Sequence, residues 1–292
     1  MQTEQCSRKH ALVTGANSGI GRATVNALVA QGWHVFAGLH HADHAGDAFD
    51  EQCVITLTID VTDENHLVSA VKSVSEHVGD SGLDALVDNA GVGVAGPLEL
   101  IPLDRLRSQL EINVVGQVAV TQNFLPLLRL ATGRIVFISS IGDRMALPFA
   151  GPLTASKAAL SMIAHSWRQE LAPWGIRVCI VAPALIHTDA ADKLQRDADA
   201  LVDLFSEDGR ARYATTFSTM IKHAVKQEKG GSPPSAVADA VVKQLLARRP
   251  APRVVVGKGG RAMSMLITLP IPMLDRLRRK LFALPAPGSA RR

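Results

Sequence analysis

A glycine-rich stretch near the start of the chain has the residue types that phosphate binding needs. Thr14-Gly15-Ala16-Asn17-Ser18-Gly19-Ile20-Gly21 follows a short apolar run and precedes a stretch with helical character. Glycines let the backbone approach a pyrophosphate, and a helix N-terminus offers free N–H groups and the positive end of a dipole. The alternative is a tight turn whose glycines serve packing alone. The position between a strand and a helix favours phosphate binding.

The composition is that of a globular protein. The 292 residues are 47% hydrophobic and 20% charged, with a formal charge of +4. That charge is weak for nucleic-acid binding, and much of it lies between Arg276 and Arg292. No apolar run approaches the ~20 residues of a membrane helix, and Met1 to Lys9 lacks a signal-peptide core. We expect a cytoplasmic protein with neither a nucleic-acid partner nor a membrane span.

Two scarce residue types limit the chemistry further. Cys6, Cys53 and Cys179 are odd in number and widely spaced, which predicts neither a disulfide framework nor a zinc site. We therefore expect no metal centre. The chain has one tyrosine, Tyr213.

Strands and helices alternate through most of the chain. Short apolar strands are predicted over residues 11–13, 34–37, 54–59, 83–87, 134–139, 176–181 and 253–256. Long helices are predicted over residues 20–31, 63–77, 103–128, 154–172 and 236–248. Apolar strands joined through helices pair in parallel with right-handed crossovers. The prediction is an α/β fold with a doubly wound, seven-stranded parallel Rossmann sheet that binds ligands at the carboxyl ends of its strands.

The pattern changes after Pro183. We interpret residues 189–232, which are polar and helical, as a substrate lid inserted after the sixth strand. Residues 261–284 are predicted to form a helical extension. Its short apolar stripe favours packing over the substrate cleft or on a partner subunit, with a membrane surface as the alternative. No domain boundary is evident, so we expect residues 1–292 to form one domain.

Several motifs occur in the order typical of the short-chain dehydrogenase/reductase family, which the chain resembles over nearly its whole length. They are Thr14 to Gly21, Asp60, Asn89-Ala90-Gly91, Asn113, Ser139-Ser140, Ser156-Lys157 and Pro183 to Thr188. Within that family it resembles the longer members with C-terminal extensions, similar to retinol and 17β-hydroxysteroid dehydrogenases. The resemblance implies an NADP(H)-dependent oxidoreductase acting on an apolar small molecule. It also implies a homodimer or homotetramer that uses the helices at 103–128 and 154–172.

The resemblance assigns catalytic positions as well. The family uses a tyrosine as proton donor, a serine that holds the substrate oxygen, a lysine four residues after the tyrosine, and an asparagine that supports a water relay. Asn113, Ser140 and Lys157 match the last three. Position 153, where the tyrosine is expected, is leucine. A positioned general acid contributes about 10²–10⁴-fold to a rate, so Leu153 predicts badly impaired ketone reduction.

Three residues near the predicted cleft offer another hydroxyl or a titrating group. Thr154 is adjacent to Leu153, but its hydroxyl is a poor acid and helical geometry points it elsewhere. Tyr213 is better explained as a lid or interface tyrosine, and His187 as a surface histidine. None of the three is expected to replace the missing acid.

The cofactor contacts implied by the resemblance form a larger set. They are Gly15, Asn17, Ser18, Gly19, Ile20, Gly21, Arg22, His40, Asp60, Val61, Asn89, Ala90, Gly91, Lys157, Pro183 and Thr188. Asp60 is expected to contact the adenine amino group. Where this branch often has an arginine for the 2′-phosphate of NADP, the chain has His40-His41, and no carboxylate marks an NAD site. We favour NADP(H) without excluding NAD(H).

Three functions remain open at this point. The first, which we favour, is reduction of an imine, an iminium or an activated double bond, since these accept a hydride without an acid that protonates an alkoxide. The second is a non-redox isomerase or cyclase. The third is a cofactor-binding pseudoenzyme.

Overall fold

A computed structural model describes residues 9–41, 49, 52–282 and 284–288, and Cys6 and the last four residues lie outside this range. Seven parallel strands form one sheet in the order β3-β2-β1-β4-β5-β6-β7. The strands are β1 His10–Thr14, β2 His34–Leu39, β3 Val54–Thr58, β4 Ala85–Asp88, β5 Arg134–Ile138, β6 Arg177–Pro183 and β7 Arg253–Val256. The predicted fold class is therefore confirmed, and each predicted strand is present within about two residues of its expected ends.

Helices connect the strands and continue beyond the sheet. They are α1 Gly19–Ala30, α2 Glu64–Val78, α3 Leu103–Leu110, α4 Gly116–Leu130, α5 Gly151–Glu170, α6 Ala190–Asp203, α7 Glu207–Gly209, α8 Thr215–Lys229, α9 Pro234–Leu246, α10 Gly260–Leu266 and α11 Ile271–Leu281. The helix predicted over 103–128 is interrupted by a π-helical turn, Glu111–Val115, which joins α3 to α4. Such turns are rare and occur frequently at functional sites.

Apolar side chains cover both faces of the sheet, as parallel pairing requires. On one face, Leu12 and Phe137 pack with residues of α2, α4 and α5. On the other face, Val13 and Val181 pack with residues of α1 and α9. The carboxyl ends of β1 and β4 lie side by side, because these strands are direct neighbours. The loops that follow them therefore meet at one edge.

The segment predicted as a lid has its own apolar cluster. Leu201 of α6 and Phe217 of α8 are its buried centre, together with Ile101 of the loop after β4. Phe282, just after α11, packs against the same cluster. The C-terminal extension thus contacts the segment predicted as a lid.

Two further observations bear on the sequence predictions. Cys179 is a buried free thiol, whereas Cys53 is disulfide-bonded. The sequence did not predict the disulfide bond of Cys53. No helix among the described residues is both long enough and apolar enough to cross a membrane.

Candidate active site

The glycine loop borders a cavity of about 250 Å³ at the carboxyl edge of the sheet. The lining residues are Gly15, Asn17, Ser18, Gly19, Ile20, Gly21, Asn89, Ala90, Gly91, Thr188, Asp189 and Ala190. Ser18 is the extended N-cap residue of α1, and its side chain makes no capping hydrogen bond. The first-turn N–H groups of α1 therefore have no side-chain cap, which suits an anionic ligand.

Close packing explains two glycines of the loop. A Cβ atom on Gly21 would lie 2.1 Å from the carbonyl oxygen of Gly15. Gly15 has a φ of +62°, and a Cβ there would lie 2.9 Å from Ala90 Cα. Asn89 holds this arrangement, since its Nδ2 donates to the carbonyls of Thr14 and Gly15 at 2.9 and 3.1 Å. Residues larger than glycine would push the loop into the cavity.

His40 and Asp60 meet at the end of β2. His40 Nε2 lies 3.3 Å from Asp60 Oδ2. Asp60 Oδ1 accepts hydrogen bonds from the N–H and the hydroxyl of Thr62, at 2.9 and 2.7 Å. Burial raises the pKa of Asp60, but these hydrogen bonds and His40 outweigh that effect and lower it overall. Asp60 is therefore an ionised carboxylate held in a fixed orientation, and Asp63 rather than Asp60 caps α2.

The other expected cofactor residues lie outside the cavity lining. Arg22 stacks over the ring of Phe49, with 5.9 Å between the guanidinium carbon and the ring centroid. Val61 is buried, and its Cγ2 would lie 2.6 Å from a Cβ on Gly116. Pro183 is the last residue of β6 and pairs with Val256 of β7. These residues shape the edge of the sheet, whereas the glycine loop, Asn89-Ala90-Gly91 and Thr188 line the cavity itself.

Lys157 and Leu153 lie four residues apart on α5, and thus on the same face of that helix. Lys157 is buried, and its ammonium group donates a 2.8 Å hydrogen bond to the carbonyl of Ile138. A Cβ on Gly91, which lines the cavity, would lie 3.6 Å from Lys157 Nζ. Burial lowers the pKa of Lys157 to about 8, although Asp143 and Asp88 oppose the shift. The amine is thus close to its titration point near neutral pH.

Asn113 lies in the π-helical turn and is fully buried. Its Oδ1 accepts from the N–H of Val92 at 2.8 Å, and its Nδ2 donates to the carbonyl of Val92 at 2.9 Å and to Ser156 Oγ at 3.1 Å. Gln109, one helical turn earlier, holds the same loop through the N–H of Val94 and the carbonyl of Val92. The Asn113 amide therefore fixes the loop after β4. Gln109 was not predicted, although its i, i+4 spacing to Asn113 was a usable signal.

The two adjacent serines have different environments. Ser139 is buried, and its hydroxyl lies among Asp143, Ser161 and the carbonyl of Lys157. Ser140 is half-exposed, and its Oγ accepts from the N–H of Gly142 at 3.0 Å. The Ser140 hydroxyl proton thus has no acceptor among the described residues. It is the serine of the pair that can donate to a ligand.

A buried ion pair supports the loop that carries Ser140. Asp143 Oδ1 lies 2.7 Å from Arg253 Nη2, and Arg253 Nε donates to Asp143 Oδ2 at 3.3 Å. Ser139 and Ser161 also donate to Asp143 Oδ2, at 3.1 and 2.7 Å. The bidentate geometry links this loop to α5 and to β7. Sequence reasoning missed the pair because its members are 110 residues apart.

Asp88, the last residue of β4, is a second buried carboxyl group near Lys157. Thr121 Oγ1 donates to its Oδ2 at 2.8 Å, while its Oδ1 has no hydrogen-bond partner. Burial raises the pKa of Asp88 to about 7, against the opposing effects of Thr121 and Lys157. When Asp88 is ionised, its buried negative charge is therefore only partly compensated by Thr121 and Lys157.

Thr154, Tyr213 and His187 are the three residues considered as substitutes for the missing acid. The Thr154 hydroxyl donates to the carbonyls of Ala150 and Gly151 in its own helix. The Tyr213 hydroxyl donates to Glu99 Oε2 at 2.6 Å, and this hydrogen bond is the main cause of its raised pKa. The side chain of His187 is exposed. Among the described residues, no hydrogen bond joins Lys157 to Thr154, Tyr213 or His187.

The comparisons with known proteins agree with this geometry. The family model described as short chain dehydrogenase matches residues 9–199. The chain is 32% identical over 278 residues to an NADPH-dependent 3-dehydrocapnine reductase of Ornithobacterium rhinotracheale, covering 92% of this chain and 95% of that protein. It is 36% identical over 223 residues to mouse estradiol 17-beta-dehydrogenase 2. That match covers 72% of this chain but only 57% of the relative's length.

A solved structure gives the same result for the fold. It is a short chain dehydrogenase from Burkholderia cenocepacia in complex with NADP, with a TM-score of 0.71 and 25% identity. The match covers 95% of this chain and 99% of that one.

Proposed function

The chain belongs to the short-chain dehydrogenase/reductase family of oxidoreductases, and we propose that it is an NADPH-dependent reductase whose substrate needs no tyrosine acid. The preferred substrate class is an apolar imine, iminium or activated double bond. One relative is named as an NADPH-dependent reductase, and the Burkholderia structure is a complex with NADP. Both names support NADPH as the cofactor here.

Leu153 is the observation that carries the proposal. It occupies the face of α5 one turn before Lys157, where the resemblance expects a phenol. The only tyrosine of the chain donates its hydroxyl to Glu99 instead. A ketone that receives a hydride becomes an alkoxide and needs a proton at once, whereas an imine that is already protonated to its iminium form becomes a neutral amine. The second reaction tolerates an apolar neighbour.

The described residues fit the proposed cofactor. The first turn of α1 provides N–H groups for the pyrophosphate, next to a cavity that a Cβ on Gly15 or Gly21 would disturb. His40, held by Asp60, is one of two adjacent imidazoles just after β2, where the resemblance expects the group that binds the 2′-phosphate. When bound, the reduced nicotinamide supplies the hydride.

The remaining polar groups would orient the substrate. The Ser140 hydroxyl would accept a hydrogen bond from the N–H of a protonated imine, or donate its proton to the carbonyl oxygen that activates a double bond. Lys157, whose Nζ lies close to Gly91 of the cavity lining, would hold the nicotinamide ribose. Asp88 and Asp143 offset the ammonium charge of Lys157, which reduces its repulsion of a cationic substrate. Asn113 and Gln109 keep the loop after β4 in place.

The test is a matched pair of substrates. We expect the protein to consume NADPH with an apolar cyclic imine, assayed at a pH at which the imine is partly protonated to its iminium form. The ketone of the same ring should react at least 100-fold more slowly, the lower limit for a missing general acid. Equal rates on both substrates would contradict the proposal. NADPH binding without turnover would favour a pseudoenzyme, and a product of unchanged oxidation state formed without NADPH would favour an isomerase or cyclase.

We also propose that the chain forms a homodimer through α3, α4 and α5. Leu110, Val115 and Met162 are large apolar residues that are exposed on these helices or the turn between them. Exposed apolar residues on one face are a feature of subunit interfaces. Light scattering should give twice the chain mass, and Val115→Glu combined with Met162→Glu should give the monomer mass. A monomeric wild-type protein would contradict this interface.

A further inference from the structure

A second cavity, of about 270 Å³, lies between α3, α6 and the loop after β4. Its lining residues are Val92, Gly93, Val94, Ala95, Arg105, Ser108, Ile112, Lys193, Leu194, Asp197, Ala198 and Ala200. It shares none of these residues with the cavity at the glycine loop. The functional residues considered so far therefore leave it unexplained.

This cavity lies close to the catalytic position. One wall is the loop segment at Val92 and Val94, which Asn113 and Gln109 hold by hydrogen bonds. The intervening Gly93 approaches Leu153, since a Cβ on Gly93 would lie 3.8 Å from Leu153 Cδ2. A ligand that fills the cavity and continues past Gly93 reaches Leu153 within a few carbon atoms.

The cavity has one uncompensated positive charge. Lys193 Nζ lies 2.7 Å from Asp197 Oδ2, so these two charges neutralise one another. Arg105 is half-buried, and among the described residues its guanidinium has neither an ion-pair nor a hydrogen-bond partner. The remaining charge of the lining residues is therefore that of Arg105.

The walls around that charge are largely apolar. Val94, Ile112 and Leu194 line the cavity and are themselves half-buried. A guanidinium group binds planar or tetrahedral oxyanions with two parallel hydrogen bonds, and apolar surroundings strengthen the attraction. Ligand sites for whole drug-sized molecules are roughly 300–1,000 Å³. A cavity of about 270 Å³ suits one end of a substrate.

We propose that Arg105 binds an acidic group of the substrate, which makes the substrate an apolar molecule with a carboxylate or a sulfonate at one end. This inference rests on the proposed reductase function, because it places the reducible bond of the same molecule beside Leu153. Arg105 is then a residue that determines substrate specificity.

Binding to the protein without cofactor tests the inference directly. Calorimetric titrations use decanoate, decane-1-sulfonate and methyl decanoate, each below its micelle concentration. We expect at least one of the two anions to bind about tenfold more tightly than the neutral ester, a ratio that corresponds to about 1.4 kcal/mol. Arg105→Met should remove this preference and leave ester binding unchanged. The anion that binds more tightly identifies the acidic group.

Arg107→Met is the matched control. Arg107 is exposed on the same helix and lines a different cavity, near Thr62 and Glu111. Its replacement should change anion binding by less than about twofold, as expected for a surface charge. Equal binding of ester and anions by the wild type, binding of neither anion, or an equal loss in Arg107→Met would overturn the inference. Since no turnover is measured, failure of imine reduction would contradict the proposed function alone.

Discussion

The hydroxyl of Tyr213 donates a 2.6 Å hydrogen bond to the carboxylate of Glu99. This bond joins the lid to the loop after β4, and Arg212 strengthens the connection through its own 2.7 Å contact with Glu99. Tyr213 is the single tyrosine of the chain. The only phenol of the chain therefore donates to Glu99, and no hydrogen bond joins it to Lys157 among the described residues.

Replacement of this tyrosine should leave catalysis almost unchanged. In Tyr213→Phe the ring contacts of the lid remain and only the hydrogen bond to Glu99 is lost. We expect imine reduction within about threefold of wild type, since a general acid would be worth about 10²–10⁴-fold. The measurement is kcat with saturating NADPH. A loss of two orders of magnitude would make Tyr213 the acid and contradict our assignment.

Asp88→Asn should stabilise the protein at high pH. The pKa of Asp88 rises from 3.8 to about 7 on folding, so the folded state binds this proton more tightly than the unfolded chain. Stability from this group is then present below about pH 4 and is lost as pH rises through 7. An asparagine removes the free-energy cost of ionising Asp88 in the folded state, which is at most about 4 kcal/mol at pH 8.

Thermal unfolding at pH 5 and pH 8 measures this difference. The gain of Asp88→Asn over wild type should be larger at pH 8 than at pH 5. Asp84→Asn is the control, because Asp84 directly precedes the same strand and its Oδ2 accepts from the N–H of His10 at 2.8 Å. A gain that is equal at both pH values would show that Asp88 does not titrate in the expected range.

Asp189→Asn should tighten NADPH binding. Asp189 lines the cavity at the glycine loop, and no ion pair to it occurs among the described residues. Its carboxylate repels a bound phosphate, so its removal should lower the dissociation constant about threefold in low salt, and less in high salt. Asp192→Asn is the control, since Lys229 already neutralises Asp192 at 2.7 Å. If both variants tighten binding equally, the effect is one of net charge and not of position.

His40→Arg should increase the preference for NADPH over NADH. A guanidinium carries a permanent charge and can bind a 2′-phosphate with two hydrogen bonds. Asp60, 3.3 Å from His40 in the wild type, would help to orient it. We expect the NADPH dissociation constant to fall about tenfold, the value of one charge-assisted hydrogen bond, while that of NADH stays constant. Equal tightening of both cofactors would exclude His40 from the 2′-phosphate position.

The sequence predicted the features that depend on local patterns. Buried parallel strands are short apolar runs, and the glycine loop is contiguous, so both could be recognised without knowledge of the fold. Contacts across the chain could not. The pair of Asp143 and Arg253 joins the loop after β5 to β7, and the burial of Asp88 depends on its packing beside Thr121 of α4.

Side-chain contacts of the predicted site residues were also out of reach. Asn113 was expected from the resemblance to support a water relay, but the structure shows its amide occupied by Val92 and Ser156. The π-helical turn that directs Asn113 towards them leaves no mark on the hydrophobic pattern of the helix. In the sequence, Arg105 is one of two arginines in the polar helix α3, and only the fold shows that α6 lies against it.

Restoration of a phenol at position 153 tests the central claim most directly. Leu153→Tyr places a hydroxyl one helical turn before the buried ammonium of Lys157, and Leu153→Phe adds the ring without the acid. Ketone reduction with NADPH should rise about 100-fold or more in Leu153→Tyr and stay at the wild-type level in Leu153→Phe. An unchanged ketone rate in a folded, NADPH-binding Leu153→Tyr would contradict the account. A wild-type protein that already reduces ketones as fast as imines would also contradict it.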